Sequence, residues 1–167
     1  MVEDESGFAV SPDGTRLAYF LADRTLGEAL LVVEDFSSGE KNVLATLPIP
    51  KGSGSSIPDI ANLSWSQSGR LLAFEFGHGV GGRIIYLAYA DGSGLVQLTD
   101  SGHAPAISAD ERCLAYTSNK QVFLLDLTST NTTPLFLADL PAGRSIADFR
   151  LDKLGWGSGT SPTPTQP

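Results

Sequence analysis

Short apolar runs separated by polar turns recur along the whole chain. In the middle of the sequence such runs cover residues 60–66, 70–76, 83–90 and 94–99, with Gly, Ser or Asp between most of them. Runs of this length between turn residues predict β-strands. The run RIIYLAY at 83–89 is nearly all apolar, which is typical of a strand buried on both faces, and it lacks a helical stripe or cap. The pattern therefore predicts an all-β protein.

The predicted strands belong to an internal repeat. The segments SPDGTRLAY, SQSGRLLAF and SADERCLAY begin at Ser11, Ser66 and Ser108, at spacings of 55 and 42 residues. A period near 40 residues with four strand-like runs in each copy indicates the blades of a β-propeller. We therefore expect three four-stranded antiparallel blades.

The three copies differ in whether the first turn contains a glycine. In the first copy, Pro12 and Gly14 stand at the second and fourth positions of a type I turn, and the second copy keeps a glycine at Gly69. The third copy has Asp110-Glu111 there instead. Because glycine adopts turn conformations without steric cost, the third turn is expected to be looser.

The repeat divides the chain into seven segments. They are an N-terminal tail at 1–7, a first blade at 8–47, a Pro/Gly/Ser-rich insertion loop at 48–59, a second blade at 60–101, a third blade at 102–140, the start of a further blade or a closing segment at 141–154, and a Gly/Ser/Thr/Pro linker at 155–167. A loop as long as 48–59 on a rigid scaffold is often functional or disordered.

Composition excludes several classes of protein. The 167 residues are 41% hydrophobic, with no apolar run near the length of a membrane span and no signal peptide at the N-terminus. A net charge of −8 disfavours nucleic acid and anionic lipid as partners. The single cysteine, Cys113, leaves no internal disulfide. We expect a folded domain that does not insert into membranes.

No motif for catalysis or for cofactor binding stands out. A formal G-x-G-x-x-G at 77–82 precedes a predicted strand rather than the helix that a dinucleotide site needs. His78 and His103 are the only histidines, which is few for a zinc site. No serine has the G-x-S-x-G context of a hydrolase nucleophile, and the paired carboxylates are adjacent in sequence. We therefore predict a protein that is not an enzyme and has no cofactor or metal.

The repeat resembles that of TolB-type propellers, which are relatives of WD-repeat proteins. The resemblance rests on Ser11-Pro12-Asp13-Gly14 ahead of an apolar strand, on Trp65-Ser66 and on Ala90-Asp91-Gly92-Ser93-Gly94. It implies a six-bladed ring and suggests an extracytoplasmic or periplasmic location. Three blades cannot close a ring, so either the chain is part of a longer one or two copies form a homodimer with six blades. The repeat residues are structural, and the resemblance transfers no catalytic residue.

The loops between second and third strands and between blades should share one face of the arc. Basic residues lie on or beside this face in an otherwise acidic chain, and we expect the face to contact a protein or peptide. The candidate residues are Arg24, Lys51, His78, Arg83, His103, Lys120 and Arg144. The leading interpretation is a non-enzymatic binding or scaffolding segment. The alternatives are the substrate-gating propeller of a prolyl-oligopeptidase-type serine peptidase and, ranked last, a metal-dependent propeller hydrolase.

Overall fold

The computed structural model describes residues 4–23, 25–49, 59–77, 82–128 and 135–139. Within these ranges the chain forms three four-stranded antiparallel sheets, and we call each sheet a blade. Blade 1 contains β1 (Asp4–Val10), β2 (Arg16–Asp23), β3 (Glu28–Asp35) and β4 (Lys41–Pro48). Blade 2 contains β5 (Asp59–Trp65), β6 (Leu71–Gly77), β7 (Arg83–Tyr89) and β8 (Leu95–Gln97). Blade 3 contains β9 (His103–Ile107), β10 (Cys113–Ser118), β11 (Gln121–Asp126) and β12 (Leu135–Asp139).

Each blade is a simple meander in which consecutive strands pair. This architecture confirms the predicted all-β fold of three four-stranded blades. In blade 2 the strands begin and end within one or two residues of the apolar runs in the sequence. Residues 50–58 of the insertion loop, and the segments at 141–154 and 155–167, lie outside the described residues.

A buried serine fixes the first turn of every blade. Ser11, Ser66 and Ser108 are all less than 5% exposed. Each hydroxyl oxygen accepts a hydrogen bond from the backbone N–H five residues later, at 2.9, 3.0 and 2.9 Å respectively. The serine N–H donates to the carbonyl of that same residue. The repeated serine is therefore a structural residue that closes the hairpin.

The expectation of a looser third turn is wrong. Glu111 adopts a left-handed backbone with φ of 59°, close to the 72° of Gly14 and the 71° of Gly69. Its N–H donates to the Ser108 carbonyl at 2.9 Å, as in the other two turns. The Glu111 carboxylate accepts a hydrogen bond from the Ser68 hydroxyl and pairs with Arg70 at 3.1 Å. These contacts with blade 2 favour a conformation that a non-glycine residue adopts at a steric cost.

The core consists of two layers separated by β6. Every residue of β6 is buried, whereas β7, for which burial on both faces was expected, is only partly buried and leaves Tyr89 40% exposed. Leu72, Phe74 and Phe76 face blade 1 and pack with a cluster that includes Phe20 and Leu31. The alternate residues of β6 face blade 3 and pack in a second cluster, whose members include Leu71, Ala73, Ile85, Leu114 and Leu125. One face of blade 2 thus packs in the core layer shared with blade 1, and its other face packs in the layer shared with blade 3.

The outer face of blade 1 is apolar, with Tyr19 and Val32 of its central strands buried and the residues of its edge strands exposed. Phe8, Tyr19, Val32 and Val43 are cross-strand neighbours and therefore share this face. Phe8 is 78% exposed and Val43 is 56% exposed. Tyr19 is the repeat equivalent of Phe74, which packs against blade 1. This outer face of blade 1 thus corresponds to the face through which blades 2 and 3 each pack against the preceding blade.

Candidate functional site

A single carboxylate interrupts the apolar strand β6. Glu75 lies in the sequence LLAFEFG, and its side chain is 0% exposed. It alternates with Leu71 and Ala73 on the face that packs against blade 3. Its repeat equivalents are Phe20 and Thr117. A buried ionised group is costly unless hydrogen bonds compensate for its lost hydration, so the partners of Glu75 decide whether this position is stable.

Four donors from two blades surround Glu75. One carboxylate oxygen, Oε1, accepts hydrogen bonds from the Asn62 side-chain amide and from the Ala104 backbone N–H at 2.6 Å. The other oxygen, Oε2, accepts from Arg83 Nη1 at 2.9 Å and from His103 Nδ1 at 3.3 Å. Asn62 and Arg83 belong to blade 2, whereas His103 and Ala104 belong to blade 3. The carboxylate therefore joins the two blades through charge-assisted hydrogen bonds.

Irregular strand pairing positions two of these donors. Asn62 and Ala104 both have a left-handed backbone, with φ of 52° and 51°. The register shifts between Ala61 and Ser64 in β5, and the pairing of β9 with β10 also shifts near His103. Such β-bulges re-aim the backbone, and alanine is an uncommon residue in this conformation. Here the bulges direct the Asn62 amide and the Ala104 N–H towards Glu75.

The network keeps Glu75 ionised. Burial by itself raises the pKa of Glu75, but the hydrogen bonds from Asn62, Ala104, Arg83 and His103 outweigh it. The net effect lowers the pKa of Glu75 below its usual value. Glu75 is therefore a carboxylate at neutral pH, and it supports both Arg83 and His103.

The network reaches the surface on the side where the blades connect. The Arg83 side chain is 30% exposed and the His103 side chain is 47% exposed, so both present part of their polar surface to solvent. Gly102 holds the blades close together, since its N–H donates to the Arg83 carbonyl at 2.8 Å. A Cβ at residue 102 would lie 2.7 Å from the Ile85 side chain and 3.0 Å from Tyr116. A larger residue at this position would require the Ile85 side chain to shift, so glycine suits the close approach of the two blades.

A cavity of about 370 Å³ opens beside this network, between β8 and the end of β10. Its lining residues are Gln97, Leu98, Thr99, Asp100, Ser101, Tyr116, Ser118 and Phe123. The Tyr116 and Phe123 rings stack with centroids 5.4 Å apart. The hydroxyls of Ser101 and Ser118 are 3.2 Å apart, and Gln97 Nε2 donates to Asp100 at 3.2 Å. The cavity therefore combines an aromatic pair with a polar rim.

The seven candidate partner-binding residues fall into three groups by their location in the structure. Arg83 and His103 lie together around Glu75. Lys120 is exposed in the tight turn between β10 and β11, at the same end of the strands, and does not contact that pair. The remaining four candidates, Arg24, Lys51, His78 and Arg144, fall outside the described residues. A role in partner binding stays a prediction for all seven.

Sequence reasoning missed Glu75 and Asn62. The available signal was a lone carboxylate inside a seven-residue strand of otherwise apolar residues. Because charged side chains are rarely buried without a partner, that pattern indicates a buried polar network. Its members could not be named, since they come from strands distant in sequence.

Metal and membrane features can be assessed only for the described part of the chain. There, no group of three His, Cys, Asp or Glu side chains is arranged to hold a metal ion. No helix in the same residues is long and apolar enough to cross a bilayer.

The arrangement of blades is that of a β-propeller segment. No protein-family model and no curated protein matches the sequence. Among solved structures, the chain is similar to an oligogalacturonate lyase in complex with manganese, at 15% identity and a TM-score of 0.60, covering 84% of this chain and 43% of that one. It is also similar to the β-propeller domain of the Trilobed protease from Pyrococcus furiosus, at 14% identity and a TM-score of 0.59, covering 86% and 44%.

A third similar structure is that of a putative TolB from Agrobacterium tumefaciens, at 19% identity and a TM-score of 0.49, covering 83% of this chain and 51% of that one. The protein has a β-propeller fold, as the repeat residues predicted. The chain spans about half the length of each of these three structures. Those structures differ in function, so they establish the fold alone.

Proposed function

We propose that the chain is a non-enzymatic binding or scaffolding segment of a propeller, whose partner is a protein or peptide. The binding surface is the face where blades 2 and 3 connect. The observation that carries this proposal is the buried Glu75, which holds Arg83 and His103 in defined orientations while leaving part of each side chain exposed.

Pre-organisation supports a binding role for this face. A side chain that is already ordered loses little conformational entropy when a partner binds, so its hydrogen bonds contribute more to the affinity. Glu75 also neutralises the charge of Arg83, so this pair adds no net charge to the binding surface. Polar groups placed on a rigid scaffold are typical of protein recognition surfaces.

The exposed face of blade 1 supports the view that the arc is incomplete. Phe8, Val10 and Val43 are each more than half exposed on one sheet face. Large exposed apolar surfaces are avoided in soluble proteins unless something covers them. We infer that another blade covers this face, supplied either by a longer chain or by a second copy. The gating propeller of a serine peptidase is the rival proposal, and a hydrolase domain adjoining this chain in the same protein would favour it.

Peptide selection tests the proposed surface. A displayed random-peptide library would be selected on the 167-residue chain, and bound peptides would be compared on two variants with the same change of charge. Lys120→Glu alters the proposed face, whereas Arg112→Glu alters an exposed arginine in the first turn of blade 3, at the opposite end of the strands.

We expect the selected peptides to bind the Arg112→Glu variant as well as the wild type. They should bind at least about tenfold more weakly to Lys120→Glu or to His103→Ala, in line with the loss of a directional polar contact. Failure to enrich any peptide, or equal binding to all variants, would contradict the proposal.

A further inference from the structure

The cavity between blades 2 and 3 contains a polar group that the fold does not use. Tyr116 lines the cavity and is only 5% exposed. Its hydroxyl has no hydrogen-bond partner among the described residues. Buried hydroxyls in folded proteins nearly always bond to protein or to ordered water, so a hydroxyl without a protein partner in the lining of a cavity is available to a ligand.

The internal repeat shows that a hydroxyl is not needed at this position. The equivalent residue in blade 2 is Phe74, which is fully buried without a polar group. The equivalent residue in blade 1 is Tyr19, whose hydroxyl donates to Glu34 at 3.2 Å. Tyr116 thus keeps a hydroxyl that packing does not require and that no neighbouring side chain occupies. Burial raises the pKa of Tyr116, so its hydroxyl remains a hydrogen-bond donor at neutral pH.

The charges around the cavity favour a cationic ligand. Asp100 is the only ionisable carboxylate in the lining, and no cationic side chain lines the cavity within the described residues. Lys120 lies two residues beyond Ser118, but no ion pair joins it to Asp100 in the described part of the chain. Arg83 is already paired with Glu75. A negative rim on a chain with a net charge of −8 attracts cations.

The remaining lining residues fit a long side chain with an apolar stem. Leu98 and Phe123 are partly buried and offer apolar surface, while the hydroxyls of Ser101 and Ser118 stand beside each other. Lysine and arginine bury their methylene groups along such surfaces and keep the charged group among polar atoms. A volume of about 370 Å³ lies within the range of small ligand sites.

We propose that this cavity binds a lysine or arginine side chain of a peptide, with Asp100 pairing with the cationic group and the Tyr116 hydroxyl donating to a peptide carbonyl. The inference rests on the proposed function of the face where blades 2 and 3 connect, because it supplies that face with a specific pocket. It also defines the class of partner as a peptide or protein with an exposed basic residue.

The test uses a capped tripeptide, acetyl-Gly-Arg-Gly-amide, and its neutral counterpart with citrulline in place of arginine. Both would be titrated into the ¹⁵N-labelled 167-residue chain while amide chemical shifts are recorded. We expect the arginine peptide to shift the amide signals of Ser101 and Ser118, and to bind at least about tenfold more tightly than the citrulline peptide, as expected for a charge-assisted contact.

Three variants locate the binding. Asp100→Asn should weaken binding of the arginine peptide by about tenfold, and Tyr116→Phe by about threefold, values typical of a charged and a neutral hydrogen bond. Glu40→Gln removes an equal charge from an exposed position in blade 1 and should change binding by less than about twofold. Phe74 occupies the position equivalent to Tyr116, so we expect Tyr116→Phe to fold, and the amide spectrum of each variant checks this.

Several outcomes would overturn the proposal. Equal binding of the citrulline peptide, an Asp100→Asn variant that binds like wild type, or shifts confined to other parts of the chain would each do so. Binding of a neutral disaccharide such as maltose in the cavity, with the arginine peptide inert, would replace the ligand class. If library peptides still bind in a manner that requires His103 or Lys120, the proposed function survives and only the pocket assignment fails. If no peptide binds at all, both fail.

Discussion

The junction between blades 1 and 2 is apolar at the repeat position where the junction between blades 2 and 3 holds a buried carboxylate. On blade 1 this position is Phe20, whose ring meets that of Phe74 edge-to-face with centroids 5.0 Å apart. On blade 2 the same position is Glu75, which binds the His103 imidazole and the Ala104 N–H of the next blade. One repeat therefore supports two different ways of joining its blades.

The comparison indicates that the two junctions contribute differently to stability and to the orientation of the blades. The buried packing at the first junction is apolar and non-directional. Its directional contacts are hydrogen bonds to backbone carbonyls, from Arg16 Nη2 to Gly69 at 2.8 Å and from Trp65 Nε1 to Ala9 at 2.9 Å. Hydrogen bonds to a buried carboxylate require defined geometry, and an unpaired member is costly. The second junction therefore fixes the relative position of its blades, and the candidate binding surface is located at that junction.

The largest expected effect comes from removing the buried carboxylate. Glu75→Ala leaves Arg83, Asn62 and the Ala104 N–H without their shared acceptor, and should lower the free energy of unfolding by about 3 to 5 kcal/mol. Urea denaturation followed by circular dichroism would measure it. Glu40→Ala is the matched control, since Glu40 is exposed in blade 1 and its side chain forms no ion pair among the described residues, so its loss should cost less than about 1 kcal/mol. Equal losses for both variants would mean that the second junction does not depend on the network.

The apolar junction should respond more moderately and without dependence on charge. Phe20→Leu removes part of a fully buried ring and should lower the free energy of unfolding by about 1 to 2 kcal/mol through lost packing. Because the substitution changes no charged group, the loss should be the same at low and at high salt. Urea denaturation at two salt concentrations measures it, and a marked salt dependence would contradict an apolar junction.

Comparing the pH dependence of the wild type with that of Glu75→Gln isolates the charge of Glu75. The pKa of Glu75 is lowered in the folded state, so its stabilising contribution is present above the pKa of the unfolded chain and is lost as the pH falls through the folded value. Between about pH 7 and about pH 3 the wild type should therefore lose more stability than Glu75→Gln. Both proteins share the other carboxylates, whose effects cancel. Parallel pH profiles would show that the network does not favour the ionised carboxylate.

The smallest effect concerns the third turn, at the opposite end of the second junction. Glu111→Gly relieves a left-handed backbone but removes the contacts with Arg70 and Ser68, so the net change should stay within about 0.5 kcal/mol of zero. Arg70→Ala should cost up to about 1 kcal/mol with Glu111 present and nothing with glycine there. A double-mutant cycle measures this coupling. Additive losses would indicate that the ion pair contributes nothing.

The sequence was sufficient for the blades because the signals for them are local. The apolar run at 83–89 and the turn at Ser11-Pro12-Asp13-Gly14 predict strands and hairpins from neighbouring residues, and the repeat multiplies each signal by three. The third turn was misjudged because Glu111 is held by residues of another blade, Ser68 and Arg70. A local rule about glycine contains no information on such contacts.

The candidate site was predictable only in part for the same reason. Arg83 and His103 could be placed on one face from the order of strands and loops. Their common partner, Glu75, could not be assigned, because β-bulges at Asn62 and Ala104 bring the donors to it, and bulges have no reliable sequence signature. The unpaired hydroxyl of Tyr116 likewise becomes visible only in comparison with the packing of Tyr19 and Phe74.

The complete burial of β6 has a consequence for cooperativity. Successive side chains of β6 pack alternately in the junction with blade 1 and in the junction with blade 3. One strand therefore takes part in two interfaces that share few side chains. In such linear arrays, the stability of the whole is approximately the sum of the units and of the contacts between nearest neighbours. Substitutions on one side of β6 can therefore tune one interface and leave the other unchanged. The polar junction can therefore change in sequence while the apolar junction continues to hold the array together.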